Sequence, residues 1–310
     1  VTPPPTAATG YLLILTAAVL WGLLGVFSRA VLDAGVAPIE IAFWRAVIAG
    51  AAFGLHATLV GRLRLRPRAA GGGRDLAALA AFALVGVTLF YAALSLAIDA
   101  GGISLAFVLL YTAPAFVTLL AWPLLGERIG RRKLALVGLA LAGVALVARS
   151  GGGGVVVSAT SLGWGLTSAA AYASYYLFGK WVLGRYAPVT IFAWVLPIGA
   201  LGLAPFVTFA AKSPAVWASL AVLGLVSTYL AYLVYYTGLA RTEASRAVLV
   251  ATIEPVVAAA LAAALFGERL GWLGWGGATL VLAAAALAAL PARRPRVLGG
   301  ALRRVGSDAR

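Results

Sequence analysis

The chain has no cysteine and no methionine, and only one histidine and nine carboxylates in 310 residues. Without cysteine there is no disulfide, no thiol nucleophile and no Cys-ligated metal. With so few His, Asp and Glu, most metal sites and acid–base enzymes are excluded, and no cofactor is expected. Charge of any kind is scarce: charged residues make up 11%, against about 25% in a soluble domain. What fills the space is apolar. Even with glycine left out, 63% of residues are apolar, above the roughly 45–50% of soluble domains with glycine counted. A soluble protein with that surface would precipitate, and disorder requires low hydrophobicity. An all-α integral membrane protein remains.

A helix needs about 20 mostly apolar residues to cross a bilayer. In lipid each backbone N–H and C=O must be paired within the protein, so apolar runs without strand alternation read as helices. Ten such runs are present: Tyr11–Leu32, Ile39–Val60, Leu76–Ile98, Ile103–Leu125, Lys133–Ala148, Leu162–Leu183, Val189–Ala210, Ala215–Leu239, Ala244–Phe266 and Trp272–Leu290. The first lacks a basic leader and is too long for the core of a cleaved signal peptide.

The distribution of the 24 Lys and Arg residues tests that count. With the N-terminus in the cytoplasm, the inside segments carry Arg62, Arg64, Arg66, Arg68 and Arg74; Arg128, Arg131, Arg132 and Lys133; Lys180 and Arg185; Arg241 and Arg246; and six Arg in the tail. Outside fall Arg29, Arg149, Lys212 and Arg269, and Arg45 lies within a span. Nineteen against four obeys the positive-inside rule and puts both termini in the cytoplasm. It also accounts for the net charge of +15 without nucleic acid. The Arg clusters are expected to meet anionic lipid headgroups.

The chain repeats itself. Ala106–Arg128 reads AFVLLYTAPAFVTLLAWPLLGER, and Ala247–Arg269 reads AVLVATIEPVVAAALAAALFGER. At this offset of 141, Pro114 pairs with Pro255, Gly126-Glu127-Arg128 with Gly267-Glu268-Arg269, and Tyr91 with Tyr232. Upstream the offset is 150, pairing Ala37-Pro38 with Ala187-Pro188 and Trp44 with Trp194. This divides the chain into a cytoplasmic tail (1–10), a first five-helix repeat (11–150), a linker (151–160), a second repeat (161–291) and a basic tail (292–310). Five is odd, so the second copy enters from the opposite side. Inverted repeats commonly support alternating access around a midplane site. A channel is the competing reading, because inverted duplications occur there too. A membrane enzyme would need clustered polar groups at one face, and the sequence has none. Gly151–Gly154 is no phosphate loop, because no Gly-Lys-Ser/Thr follows it.

The paired motifs, Tyr111-Thr112-Ala113-Pro114 with Gly126-Glu127-Arg128 and Glu254-Pro255 with Gly267-Glu268-Arg269, resemble the EamA-type transporters of the drug/metabolite transporter superfamily. Leu20-Trp21-Gly22 and Phe43-Trp44-Arg45 add to the resemblance, which covers roughly residues 10–290. It implies a ten-helix fold around a central cavity, in a bacterial cytoplasmic (inner) membrane, exporting or exchanging amino acids and related metabolites. Efflux of drugs or cationic compounds on the same fold is the alternative.

Features in one repeat only are the better candidates for solute chemistry. Arg45 faces Val195 across the repeat, and Glu254 faces Ala113. A charge in mid-span is costly and is expected to face the bundle interior. Arg45 then pairs with a carboxylate of the solute or of the protein, or else snorkels to a headgroup. Burial disfavours the charged form of a carboxylate. Glu254 can therefore bind a substrate ammonium or cycle a proton; an internal ion pair is the plainer role. Trp21, Tyr91, Tyr111, Tyr172 and Tyr232 lie at mid-span depth, below the interfacial belt where such residues collect, and are expected on the solute pathway through stacking and cation–π contacts.

Shared features suit the scaffold. Pro114 and Pro255 each remove a backbone donor and kink a span, as gating hinges or as fixed bends. Glu127, Arg128, Glu268 and Arg269 end the fourth and ninth spans and are expected to be structural, the carboxylates satisfying loop N–H groups or nearby Arg. Glu40, near a span end, is expected to be exposed, and His56 to be a structural or interface residue, not a proton relay. Small residues at Gly138–Gly143 and Gly274–Thr279 let helices approach closely and mark spans five and ten as support helices or a homodimer contact.

Overall fold

The computed structural model describes residues 7–63, 72–150, 156–266 and 271–290. Every regular element among them is helical: α1 (Ala7–Asp33), α2 (Pro38–Leu59), α3 (Gly72–Phe82), a π-helical segment (Ala83–Leu89), α4 (Phe90–Gly101), α5 (Ile103–Leu110), α6 (Ala113–Leu125), α7 (Arg131–Ser150) and α8 (Ala159–Val182). Then follow α9 (Pro188–Leu203), a 3₁₀ turn (Ala204–Phe206), α10 (Pro214–Gly224), a second π segment (Leu225–Leu230), α11 (Ala231–Leu239), α12 (Ala244–Ala251), α13 (Glu254–Phe266) and α14 (Trp272–Ala289).

Eight helical spans are long and apolar enough to cross a membrane among the described residues. They do not include α7 and α8, of 20 and 24 residues, which are nonetheless of crossing length. The boundaries follow local chemistry. Proline opens α2, α9 and α10, where its missing N–H would have had no partner in any case. Ser158 and Ser161 form a reciprocal capping box at the start of α8. Gly126 ends α6 at φ +70°, a left-handed turn that favours glycine. The seventh span ends earlier than its apolar run suggests: helical structure stops at Phe206, and residues 207–213 have no helix.

Pro114 and Pro255 break their spans instead of kinking them. α5 stops at Leu110 and α6 starts at Ala113, with Pro114 in its first turn. α12 stops at Ala251 and α13 starts at Glu254, one residue before Pro255. Proline fits the first turn of a helix far better than its interior, so each proline begins a new helix. The π segments, which hydropathy cannot register, also occur in both repeats at the offset of 141. Discontinuity is thus built twice into each half, in equivalent places.

Lipid offers no hydrophobic drive between helices, so close packing carries the assembly. A Cβ added at Gly22 would meet Val257 Cγ1 at 2.5 Å, one at Gly199 would meet Val87 Cβ at 2.5 Å, and one at Gly224 would meet Ile48 Cβ at 2.6 Å. Each contact joins the two repeats. α7 and α14 pack along one another, with Gly143 against the Gly277 carbonyl. These two small-residue faces are therefore used at least in part within the chain.

Candidate functional site

A cavity of about 830 Å³ lies between the two repeats. Its rim is formed by Asp33 at the end of α1, Pro38 at the start of α2 and Ile98 near the end of α4. Asp33 and Pro38 are exposed, so the cavity opens there. Its other end is closed by Tyr175, Tyr176, Tyr235 and Tyr236, all buried. Trp21, Arg45, Tyr91, Tyr111, Tyr172, Tyr232 and Glu254 all line this single space, although they come from both repeats.

The walls are a continuous aromatic surface. Trp21 meets Tyr232 edge-on at 5.9 Å between ring centroids and Tyr235 at 5.1 Å. Phe90 stacks on Tyr172 at 5.1 Å, and Tyr175 meets Tyr232 at 5.5 Å. On the floor, the Tyr176 hydroxyl donates to the Tyr172 hydroxyl at 3.0 Å, and the Tyr236 hydroxyl donates to the Tyr175 carbonyl at 2.7 Å. The Tyr175 and Tyr235 hydroxyls have no hydrogen-bond partner among the described residues.

One arginine and one glutamate line this aromatic space at mid-span. Arg45, on α2, donates from Nε to the Thr228 hydroxyl at 3.1 Å. Its guanidinium carbon lies 5.5 Å from the centre of the Tyr91 ring, a cation–π distance. Among the described residues no carboxylate forms an ion pair with it. Glu254 is the first residue of α13, where the positive end of the helix dipole favours an acidic group. Its carboxyl group shares the cavity lining with Tyr111 and feels the charge of Arg45. The break between α12 and α13 therefore places a carboxylate at mid-span with a helix N-terminus behind it.

Beyond the tyrosine floor, a polar cluster ties the two repeats together. Glu127, one residue after Gly126, accepts from the Ala244 N–H at 2.7 Å, the Ser245 N–H at 3.2 Å and the Ser245 hydroxyl. It thereby caps α12 of the other repeat, not a loop. Lys133 lies 3.6 Å from Glu127 and 2.9 Å from Glu243, and Arg246 lies 3.1 Å from Glu243. Burial would raise the Glu243 carboxyl, but the hydrogen bonds and charges of Lys133 and Arg246 hold it below the usual carboxylate value. Lys180 donates to the Leu239 carbonyl at 2.8 Å and so caps α11. Arg128 is exposed, while Glu268 and Arg269 lie outside the described residues.

A sequence profile described as the EamA-like transporter family matches residues 8–149 and 159–290. The chain belongs to that family. It is similar to an uncharacterized transporter of Archaeoglobus fulgidus, 29% identical over 80% of this chain and 87% of that one. It is also similar to the uncharacterized inner membrane transporter YicL of Salmonella typhimurium, 26% identical over 92% and 96% of the two chains. A solved crystal structure superposes with a TM-score of 0.76 over 91% of this chain and 96% of that chain, at 18% identity, which supports the fold. This EamA-family chain is thus a multi-pass membrane transporter.

In this family member, a further expectation from sequence is overturned. Glu40 is fully buried, not exposed. It forms an ion pair with Lys212, itself 3% exposed, and accepts from Trp44 Nε1 at 3.2 Å and the Ala210 N–H at 3.1 Å. The non-helical stretch after Phe206 folds back over the start of α2 and carries Lys212 there. Two further contributors were invisible in the pattern. Thr228 looked like one more span residue, and Phe90 carried no polar signal. The π segments, absent from hydropathy, account for both: Thr228 lies within the second and reaches Arg45, and Phe90 follows directly on the first and lines the cavity.

Proposed function

We propose that this transporter is a secondary carrier that exports or exchanges small organic metabolites, amino-acid-like solutes first, by alternating access between two inverted repeats. The observation that supports this best is the cavity's polarity. A guanidinium with free terminal nitrogens and a carboxylate share one aromatic-walled space, as an α-amino acid's carboxylate and ammonium require. The cavity is open at one rim and closed by the tyrosine floor and the Glu127 cluster. That asymmetry fits one state of an alternating cycle better than an open channel. With both termini cytoplasmic, the open rim faces outward in a bacterial inner membrane.

Glu254 is the candidate coupling group. A carboxylate that binds either a proton or a solute ammonium links the two without a further cofactor, and no nucleic acid is needed to explain the basic loops. Aromatic walls with a carboxylate at mid-span also suit an apolar cation, so efflux of cationic compounds is the second reading. The test is counterflow and uptake of labelled amino acids in proteoliposomes, with and without a pH gradient. Saturable counterflow of at least one amino acid is expected. If amino acids and amphipathic cations all fail to move, the carrier reading is wrong; conductance far above carrier turnover would make the protein a channel.

A further inference from the structure

Arg45 is held from two directions, once from within a π segment and once from just beyond the other. Its Nε donates to Thr228 Oγ1 at 3.1 Å, inside the second π segment. Its guanidinium carbon sits 5.5 Å from the ring centre of Tyr91, two residues after the first π segment ends. Thr228 is itself fixed. It is 2% exposed, and its hydroxyl donates to the Leu223 carbonyl, five residues back, at 2.8 Å. With that hydrogen committed, the hydroxyl oxygen can act towards Arg45 only as an acceptor.

A guanidinium is planar, so these contacts restrict most of its freedom. A hydrogen bond at Nε sets its axis, and an aromatic ring sets its face. What remains are the two terminal nitrogens. They make no hydrogen bond to any described residue, and they are not among the buried atoms left without a partner. They therefore open onto the cavity that Arg45 lines. A pair of N–H donors presented side by side matches the two oxygens of a carboxylate. An untethered Arg would have to surrender rotamer freedom on binding, whereas a tethered one has already done so.

We propose that Thr228 is a positioning residue for solute recognition: it aims the Arg45 fork so that the carrier selects solutes bearing a carboxylate. This rests on the reading of the cavity as the solute site. Thr228 touches Arg45 and not the solute, so its loss acts on one class of solute and spares the other.

The test compares purified wild type with Thr228→Val, which keeps the shape and removes both hydrogen bonds, and Thr228→Ser, which keeps both. Two matched probes are titrated: leucine, and isoamylamine, which is leucine without its carboxylate. Thr228→Val is expected to weaken leucine binding about tenfold, the size of one lost hydrogen bond to a charged group, and to leave isoamylamine unchanged. Thr228→Ser is expected to restore leucine binding. An equal change for both probes, no change for leucine, or a Ser variant as impaired as the Val variant would overturn the proposal.

A second measurement needs no solute. In protein labelled with ¹⁵N-arginine, the Nε–H resonance of Arg45, assigned by its loss in Arg45→Lys, is expected to move in Thr228→Val and to stay in Thr228→Ser. An unmoved resonance in Thr228→Val defeats the clamp. Should wild type bind neither probe, the solute reading fails while the resonance still decides whether Thr228 holds Arg45. Thr228→Cys, with a much weaker acceptor, replaces Thr228→Val if that variant does not fold.

Discussion

At the scale of single residues, Arg45 and Glu254 were legible because a mid-span charge is costly and each is absent from the other repeat. Their surroundings were not legible, because nothing in the composition says which helices meet. The two residues support separable predictions. Arg45→Lys keeps the charge and removes the planar fork, so carboxylate-bearing solutes are expected to lose about tenfold or more in apparent affinity, measured by counterflow. Glu254→Gln is expected to abolish the pH dependence of transport while the protein still folds. Unchanged pH dependence would remove Glu254 from coupling. Glu40 shows where residue reading fails. A carboxylate near a span end looked exposed, but Lys212 arrives 172 positions later to bury it. Removing one partner of a buried pair costs about 3–5 kcal/mol, so Glu40→Ala is expected to lower the melting temperature sharply, read by thermal unfolding in detergent.

At the scale of elements, the spans were visible in hydropathy, but their interruptions were not. A proline in an apolar run predicts distortion, and the sequence alone does not distinguish a kink from a restart. Two π segments inside α3–α4 and α10–α11 have no hydropathic signature at all. Yet these irregular stretches bring Thr228 and Tyr91 to Arg45, and the break before α13 brings Glu254 to mid-span. The contact between α6 and α12 is testable here. Glu127→Gln removes the charge that caps α12, a contribution of roughly 1 kcal/mol. It is expected to raise the labelling of a cysteine introduced at Tyr236 from the side of the Glu127 cluster; unchanged labelling would show that the cap does not hold that side closed. The neighbouring Glu243 gives a pH test. Its carboxyl is lower in the folded protein than in the unfolded one, so its stabilising effect is present above the unfolded value and lost as pH falls through the folded one. Wild type is therefore expected to melt higher than Glu243→Gln near neutral pH, by a small margin because the pair is partly exposed. The two are expected to converge in acid.

At the scale of the whole molecule, the duplicated pattern was legible because both copies kept proline, Gly-Glu-Arg and tyrosine at one spacing. A site between the copies was implied by the inverted repeat, and a central cavity by resemblance; its dimensions and its open rim come from packing that periodicity does not encode. Orientation is the whole-molecule expectation most directly tested, and the chain assists, since it has no cysteine of its own. Single cysteines at Thr9 and Leu290 are expected to react with an impermeant thiol reagent from the cytoplasmic side, and one at Ser213 from the other. Thr9 and Leu290 reacting on opposite sides would refute the paired, inverted arrangement.

Of the nine tryptophans, all within the described residues, Trp21 alone is buried and alone lines the cavity; the others are partly or fully exposed on the surface of the chain. Its indole touches Tyr232 and Tyr235, the same rings an occupying molecule would press against. The transporter thus holds a native fluorophore inside its own vestibule. With the other eight tryptophans replaced by phenylalanine, its emission would report filling and emptying in real time, without an attached dye.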